Sequence, residues 1–398
     1  MSALQERTGR SALHLGMKNI NSRRDFIRQS GVLSAASVIS PASLFSTAQH
    51  TNKLPRWKGF NVLDFFSPDP ANSRKPSTEE YFKWMSGWGF DFIRIPIAYP
   101  FYLKFDRSRN ISREEVYNID EAQTQKIIRL VDLAHKHGMH VSLNLHRAPG
   151  YCINAGFHEP YNLWKDEEAL KAFCFHWSYW AKTFKNVSPQ KISFDLVNEP
   201  SMREDMNDQH SKSGPVPGDS YRRVAKAASE AIRKENPAHI VIADGNSVGN
   251  AVIPEITDLN IGQSCRGYFP GAISHFRAPW ANKDPMAAPT PTWPLQTGDK
   301  KMDRSSIEQY YKPWSDLVQK GIGVHCGECG CWNKTPHAVF LAWFGDVLDV
   351  LKHNSIGFAL WEFSGDFGLI NSGRADVDYE NWYGQKLDKK LLDLLRRS

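Results

Sequence analysis

Two glutamates stand directly behind short, largely apolar runs of the sequence. Glu199 lies in an Asn-Glu-Pro tripeptide behind the run 192–197, and Glu328 follows another run of the same kind. Cleaving a glycosidic bond needs a proton for the leaving oxygen and negative charge against an oxocarbenium-like centre. Two carboxyl groups about 5–5.5 Å apart supply both, with retention of configuration. The glutamates therefore predict sugar-cleaving chemistry, provided that the fold brings them face to face.

The elements that must position these glutamates alternate along the chain. Short β-rich runs predict strands over 59–62, 92–95, 140–145, 192–196, 240–243, 272–274, 324–326 and 357–360. Amphipathic segments between them predict helices over 77–87, 120–137, 167–184, 220–234, 305–320, 336–351 and 387–397. Apolar residues recur at helical spacing in the second group and alternate within the strand candidate 140–145, as the two element types require.

Eight strand–helix units fit a closed parallel barrel, the (β/α)8 or TIM-barrel architecture of the α/β class. An open doubly wound sheet is the structural alternative, and it is weakened because no Gly-rich phosphate loop follows an early strand. No internal repeat or linker indicates a second domain within residues 49–398. The irregular stretch 275–304, rich in Pro and Trp, is long enough to predict the wall of a binding site.

In such a barrel the reactive residues lie just past the C-terminal ends of the strands. Besides the two glutamates, the polar or aromatic groups at those places are Arg94, His146, Asn198, His275 and Trp361. Strands four and seven face each other across an eight-stranded barrel, so Glu199 and Glu328 can straddle a sugar bond. Folding alone does not explain why so many apolar strands deliver such a group to one rim.

This pattern resembles glycoside hydrolase family 5, the cellulase-like retaining glycosidases, from residue 57 to about residue 385. The most specific pieces are the Asn-Glu-Pro tripeptide after an apolar strand and the second glutamate after strand seven. The resemblance implies that Glu199 is the acid/base and Glu328 the nucleophile. It also implies that Trp361 is the floor under the cleaved sugar.

The charges and hydrogen-bonding groups of the neighbouring side chains suit roles in the same reaction. The fixed positive charge of Arg94 would keep Glu328 ionised, and proximity of the two carboxyl charges should raise the pKa of the proton donor, Glu199. Asn198 is suited to hold the sugar 2-hydroxyl, a contact that strengthens in the transition state. Arg94 also fits a structural ion pair, and His146 fits a satisfied rim histidine.

One run departs from the family's pattern, which has His-x-Tyr after strand six with the tyrosine touching the nucleophile. Here His275 is followed two positions later by Arg277. Arg277 takes over the contact, another tyrosine such as Tyr268 makes it, or the nucleophile is oriented differently. Tyr151 and Trp293 are candidate outer sugar platforms, because flat apolar rings stack on the C–H faces of a pyranose.

The N-terminal segment 1–48 predicts a twin-arginine signal peptide. Arg23-Arg24 precede a mildly apolar stretch, 31–45, which small residues follow as a cleavage site. That stretch is too short to predict a membrane anchor. The catalytic domain would then span 49–398 and work in the periplasm or outside the cell; a disordered basic tail is the alternative. Most of the formal charge of +6 lies in this segment, so nothing indicates a nucleic-acid partner.

The six cysteines are too few in a chain of 398 residues for a disulfide scaffold. Cys326, Cys329 and Cys331 are spaced like a metal knuckle, but a fourth ligand is missing and strand geometry points them to different sides. Small buried thiols, with at most one disulfide, fit better. The sequence predicts no metal and no organic cofactor.

These observations predict an exported retaining glycosidase that cleaves a β-linked glucan-type polysaccharide or oligosaccharide by double displacement, endoglucanase-like in class. A β-mannan or xylan substrate with the same mechanism is one alternative. Another is a carbohydrate-binding protein that kept the fold and lost catalysis, which the changed His-x-Tyr run motivates. A metal-dependent hydrolase using the histidines and cysteines is the third, and activity that survives EDTA would remove it.

Overall fold

A closed barrel of parallel strands forms the centre of the structure, a computed structural model that describes residues 52–205 and 208–398. Each strand is hydrogen-bonded to the next in chain order, and the last is bonded to the first. The strands are β1 Lys58–Asn61, β2 Phe92–Ala98, β3 His140–Ala148, β4 Ile192–Asp195, β5 Ile240–Asp244, β6 Gly262–Gly267, β7 Val324–Cys329 and β8 Gly357–Leu360. This confirms the predicted (β/α)8 barrel. The predicted signal peptide, 1–48, and its boundary lie outside the described residues.

Helices cover the outside of the barrel. They are α1 Glu79–Gly87, α2 Glu121–Lys136, α3 Glu167–Thr183, α4 Gly218–Glu235, α5 Arg304–Gln319, α6 His337–His353 and α7 Lys389–Arg397. All lie where helices were predicted, and side-chain caps mark three of the starts. Asp120 accepts from the Ala122 amide before α2, Asp303 from the Ser305 amide before α5, and Asp388 from the Leu391 amide before α7. The connection from β5 to β6 is built instead from two one-turn pieces, Asn246–Gly249 and Pro254–Ile256.

Short antiparallel pairs lie in the loops. Tyr151–Cys152 turns back onto β3, and three hairpins pair Met202–Arg203 with Ser213–Gly214, Leu295–Thr297 with Lys300–Met302, and Glu380–Trp382 with Gln385–Leu387.

The barrel interior changes character from one end to the other. At the lower end Phe92 packs against His140 and His325, and Trp57 stacks on His140 with ring centroids 3.8 Å apart. Alternate residues of a strand face opposite sides, so Arg94, two positions after Phe92, also points inward, but one layer higher. The isoleucines between and after them face the helices. An aromatic plug therefore closes the bottom, and charged groups occupy the upper interior.

The predicted position of the sixth strand is wrong. Residues 272–274 lie in a one-turn helix, Gly271–Ser274, and the chain enters the barrel earlier as β6. The sequence of β6, Gly-Gln-Ser-Cys-Arg-Gly, has little β-propensity, although all its residues are buried. Its strand conformation is set by its neighbours: Gln263 exchanges two hydrogen bonds of 2.8 Å with the backbone of Ile253. A Cβ at Gly267 would lie 2.3 Å from the Cβ of Cys329 on β7.

The cysteines are all free thiols, and all except the half-buried Cys174 are buried. In the two described ranges, no group of three or more His, Cys, Asp or Glu side chains is arranged to hold a metal ion. Nor does any helix in those ranges have the length and apolar character needed to cross a membrane.

Candidate active site

Arg94 lies in the upper interior of the barrel and connects three strands. Its Nε donates to Asp195 Oδ2 and its Nη1 to Glu328 Oε1, both at 2.7 Å, while Nη2 donates to Asn198 Oδ1 at 2.9 Å. The side chain is 1% exposed. A buried charge is tolerated when it is paired and hydrogen-bonded, and the predicted residues Arg94, Asn198 and Glu328 satisfy this condition together.

A second buried arginine, Arg266 at the end of β6, was not predicted from the sequence. Its Nε donates to Glu199 Oε1 at 2.9 Å, and its Nη2 donates to Asn198 Oδ1 at 2.9 Å and to Glu328 Oε1 at 3.3 Å. Its Nη1 donates to Asp244 Oδ1 at the end of β5, at 3.0 Å. One guanidinium thus joins the two predicted glutamates.

Tyr268 makes the contact that the resemblance implies for a tyrosine. Its hydroxyl donates to Glu328 Oε2 at 3.2 Å. Arg277 lies instead over the ring of Phe276, 4.9 Å from the centroid, and not on the cavity lining. Of the three alternatives, the structure therefore selects Tyr268. The corresponding run is Arg266-Gly-Tyr268, in which the tyrosine is kept and arginine stands in place of histidine.

The backbone at Glu199 is held in an unusual conformation. Its φ is 48°, in the left-handed region that non-glycine residues rarely adopt. Its N–H donates to Asp244 Oδ2 at 2.9 Å, and its carbonyl accepts from the Tyr151 hydroxyl at 2.6 Å. The same hydroxyl accepts from the Ser201 N–H at 2.9 Å. Tyr151 is 3% exposed and lies outside the cavity lining, so its predicted place as a sugar platform is wrong: it fixes the peptide that carries Glu199.

Replacing Tyr151 by phenylalanine is expected to destabilise the fold by about 1–3 kcal/mol, because the Glu199 carbonyl and the Ser201 N–H lose a buried partner. kcat should fall more than KM changes, since the carboxyl of Glu199 is no longer held in place. Thermal unfolding and steady-state kinetics measure both effects. The matched control is Tyr161→Phe, because the buried Tyr161 hydroxyl has no hydrogen-bond partner among the described residues. Equal effects in the two variants would contradict this role.

A cavity of about 950 Å³ opens above the two glutamates. Trp361 and His146 line it next to each other, with ring centroids 5.5 Å apart and planes inclined by 27°. A further group of rings lines another part of the cavity: His275, Trp280, Trp332 and Phe367. The first two belong to the stretch 275–304, which therefore contributes to the cavity wall as predicted.

Two predicted residues lie elsewhere than the sequence indicated. Trp293 does not line the cavity: its Nε1 donates to Asp346 on α6 at 2.8 Å, which makes it part of the loop's attachment to the barrel. His275 lines the cavity but follows the one-turn helix, not a strand. Its Nδ1 is hydrogen-bonded to Ser274 Oγ at 2.8 Å, and burial lowers the pKa of His275 to about 4.

The cavity lining also carries a carboxylate–arginine pair that was not among the predicted site residues. Glu362, 3% exposed, is paired with Arg74 from the loop before α1, and both line the cavity. Burial raises the pKa of Glu362 to about 7, and Arg74 opposes the rise. Its place directly after Trp361 was the available signal.

The two central glutamates have different electrostatic surroundings. Burial raises the pKa of Glu199 to about 7, and the nearby charge of Glu328 adds to the rise, whereas Arg266 opposes it. Burial lowers the pKa of His146 well below its ordinary value, and the charges of Arg94 and Arg266 lower it further, so this imidazole is neutral. The site can therefore offer the protonated carboxyl of Glu199 near neutral pH, beside the carboxyl of Glu328, which accepts hydrogen bonds from Arg94, Arg266 and Tyr268.

A barrel with this carboxyl pair at its C-terminal rim defines the chain as a (β/α)8 glycosidase. The match to known sequences agrees: the family model described as cellulase, glycosyl hydrolase family 5, matches residues 48–366. The chain belongs to this family.

Several known proteins are similar to it. Endoglucanase C of Acetivibrio thermocellus is 22% identical over 330 residues, which is 76% of this chain and 89% of that protein. Cellodextrinase A of Ruminococcus flavefaciens is 24% identical over 303 residues, 75% of this chain and 83% of that protein. A crystal structure described as a glycoside hydrolase is 35% identical, with a TM-score of 0.77 over 86% of this chain and 99% of its own.

Proposed function

We propose that the chain is a retaining hydrolase of β-linked glucans, with Glu199 as acid/base and Glu328 as nucleophile. The observation that carries this is the single guanidinium of Arg266, which is hydrogen-bonded to both carboxyl groups. Because that group is small and planar, the two carboxyls are close neighbours, as a retaining mechanism requires. The raised pKa of Glu199 suits the proton donor.

In the first step Glu328 attacks the anomeric carbon while Glu199 gives its proton to the leaving oxygen. Tyr268 orients the attacking carboxylate from one oxygen and Arg94 from the other. Asn198 accepts from both buried arginines through Oδ1, which fixes its amide and leaves Nδ2 as donor. That nitrogen has no partner among the described residues, which suits the sugar 2-hydroxyl.

In the second step a water molecule attacks the glycosyl ester, and Glu199, now ionised, takes its proton. The ring of Trp361 supplies a flat apolar face for the sugar at the cleavage point, with neutral His146 beside it. After the second step Glu199 again carries a proton and Glu328 is again a free carboxylate, as before the first step.

The substrate class rests on the relatives, which are named as an endoglucanase and a cellodextrinase. The test is a panel of β-glucan, β-mannan and xylan with the wild-type protein, in which β-glucan is expected to be cleaved fastest. Viscosity loss ahead of reducing-end formation would show internal cutting. Faster cleavage of mannan or xylan would replace the proposed substrate, and cleavage of none would favour a binding protein on the same fold.

Activity is expected to fall as the pH rises through about 7. Glu199 must be protonated to act in the first step, and its raised pKa keeps the proton below that pH and releases it above. The measurement is the pH profile of kcat/KM on 4-nitrophenyl β-cellobioside. A profile that stays flat up to pH 9 or so would contradict the role of this carboxyl as the acid.

Export through a twin-arginine signal is the remaining part of the proposal. It is supported by Arg23-Arg24 and the apolar stretch behind them in the sequence. The test is N-terminal sequencing of protein recovered outside the cytoplasm, together with the double change of both arginines to lysine. Mature protein beginning near residue 49 in the wild type, and retained precursor in the variant, are the expected results.

A further inference from the structure

Arg266 is paired with both central carboxyl groups. Its guanidinium, 1% exposed, lies 2.9 Å from Glu199 Oε1 and 3.3 Å from Glu328 Oε1. Its other edge is paired with Asp244. Among the described residues, Arg266 is the one cation that forms ion pairs with both glutamates. Arg94 forms an ion pair with Glu328 but not with Glu199.

The first step of the proposed mechanism moves a negative charge between these carboxyls. Before it, Glu328 is ionised and Glu199 carries a proton. A bond forms between the Glu328 oxygen and the anomeric carbon as the glycosidic C–O bond breaks. The electron pair of the broken bond goes to the leaving oxygen, which takes the proton of Glu199. Glu328 is then a neutral ester and Glu199 is ionised, so the charge has passed from one contact of Arg266 to the other.

We propose, in an extension that rests on the proposed function, that Arg266 is a positioning residue that acts as the fixed counter-ion of this charge before and after the step. A guanidinium is planar and stays protonated at every working pH, and here it reaches both carboxyls from one position. No side chain has to move as the charge passes, which is the condition for preorganised electrostatic stabilisation. Histidine, which the family usually has in this run, is charged only below its pKa, so its charge depends on pH and lacks this constancy.

The same contact fixes which oxygen of Glu199 carries the catalytic proton. Arginine nitrogens donate hydrogen bonds and never accept them. Oε1 of Glu199 accepts from Arg266 in both protonation states, so the proton is left to Oε2. The other charged or titratable groups that face Glu199 and Arg266 come from six places around the barrel: Arg94 on β2, His146 on β3, Asp195 on β4, Asp244 on β5, Tyr268 after β6 and Glu328 on β7.

The test is the pH profile of kcat/KM on 4-nitrophenyl β-cellobioside in Arg266→Met and in Asp244→Asn, two changes of opposite sign. Removing the positive charge disfavours ionised carboxyls. The acidic and the basic limb of the R266M profile should therefore both move to higher pH, by about one unit or more. Removing the negative charge behind Arg266 should move both limbs of the D244N profile to lower pH. Arg266→Lys keeps the charge, so its limbs should stay in place while the rate falls by about tenfold.

Limbs that stay in place in R266M and D244N, with only the rate lowered, would show that Arg266 merely holds the fold and would overturn the inference. If circular dichroism shows that R266M is unfolded, D244N decides alone, because asparagine keeps the size of aspartate and one of the two oxygens that accept from Arg266 and from the Glu199 N–H. The Glu328→Ala variant tests the proposed function independently of the role of Arg266. Full activity of that variant removes the mechanism itself, whereas an inactive E328A variant with unmoved limbs in the other two removes only the counter-ion.

Discussion

Glu328→Ala is expected to lower kcat on β-glucan by about four orders of magnitude or more, as is usual when a covalent nucleophile is removed. The change deletes the attacking oxygen and leaves Arg94, Arg266 and Tyr268 around an empty space. Initial rates on the polysaccharide and on 4-nitrophenyl β-cellobioside measure the loss. Cleavage that is unchanged by this substitution would exclude the proposed mechanism.

Added azide should restore part of the E328A rate, because the small anion fits the vacated space and attacks the same face of the sugar. The product is then a glycosyl azide of inverted configuration, identified by NMR. The matched control is Glu362→Ala, which removes another buried carboxylate from the lining of the same cavity. That variant should bind substrate more weakly but form no azide product. Azide rescue of both variants would remove the distinction between the two carboxylates.

Apolar strands made most of the barrel predictable. The eighth strand was predicted over 357–360 and is observed as Gly357–Leu360, because a buried parallel strand is a short continuous apolar run. Glu199 and Glu328 were found for the same reason, since each stands at the end of such a run. Their proximity followed from the topology, because strands four and seven of the closed barrel deliver their C-terminal ends to the same rim.

The sixth strand shows where this reasoning stops. β6 faces a barrel interior that holds Arg94, Asp195 and Asp244, so its own inward residues are polar and its sequence lacks the apolar signal. Because the strand was placed too late in the chain, Arg266 was missed and the expected tyrosine was sought at Arg277. A search for the His-x-Tyr spacing that also accepted arginine at the first position would have found Arg266-Gly-Tyr268.

Aromatic side chains were the least predictable members of the site. Tyr151 and Trp361 both follow barrel strands, yet one ring is buried beneath the Glu199 peptide and the other lines the cavity. Trp293, in a loop rich in Pro and Trp, turns its indole N–H toward Asp346 on a helix. The residue type shows that a flat ring is present. Whether that ring is exposed to the cavity depends on contacts between distant parts of the chain. Those contacts leave no periodic pattern in the sequence.

Glu199→Ala is expected to affect substrates according to their leaving groups. On β-glucan, kcat/KM should fall by about 10²–10⁴-fold, the usual contribution of a general acid, because the leaving sugar oxygen needs a proton. On 2,4-dinitrophenyl β-cellobioside the leaving group departs without one, so kcat/KM should stay close to that of the wild type. kcat on the same substrate should still fall, since the second step lacks the base that activates water.

The configuration of the azide product then separates the roles of the two glutamates. In E199A the ester on Glu328 still forms, and azide attacks it from the opposite face, so the expected product has retained configuration. In E328A the product is inverted, because azide replaces the nucleophile itself. Exchanged configurations would mean that the roles of the two carboxyls are exchanged. An equal loss of kcat/KM on both substrates in E199A would mean that Glu199 is not the acid, even though Arg266 holds it beside Glu328.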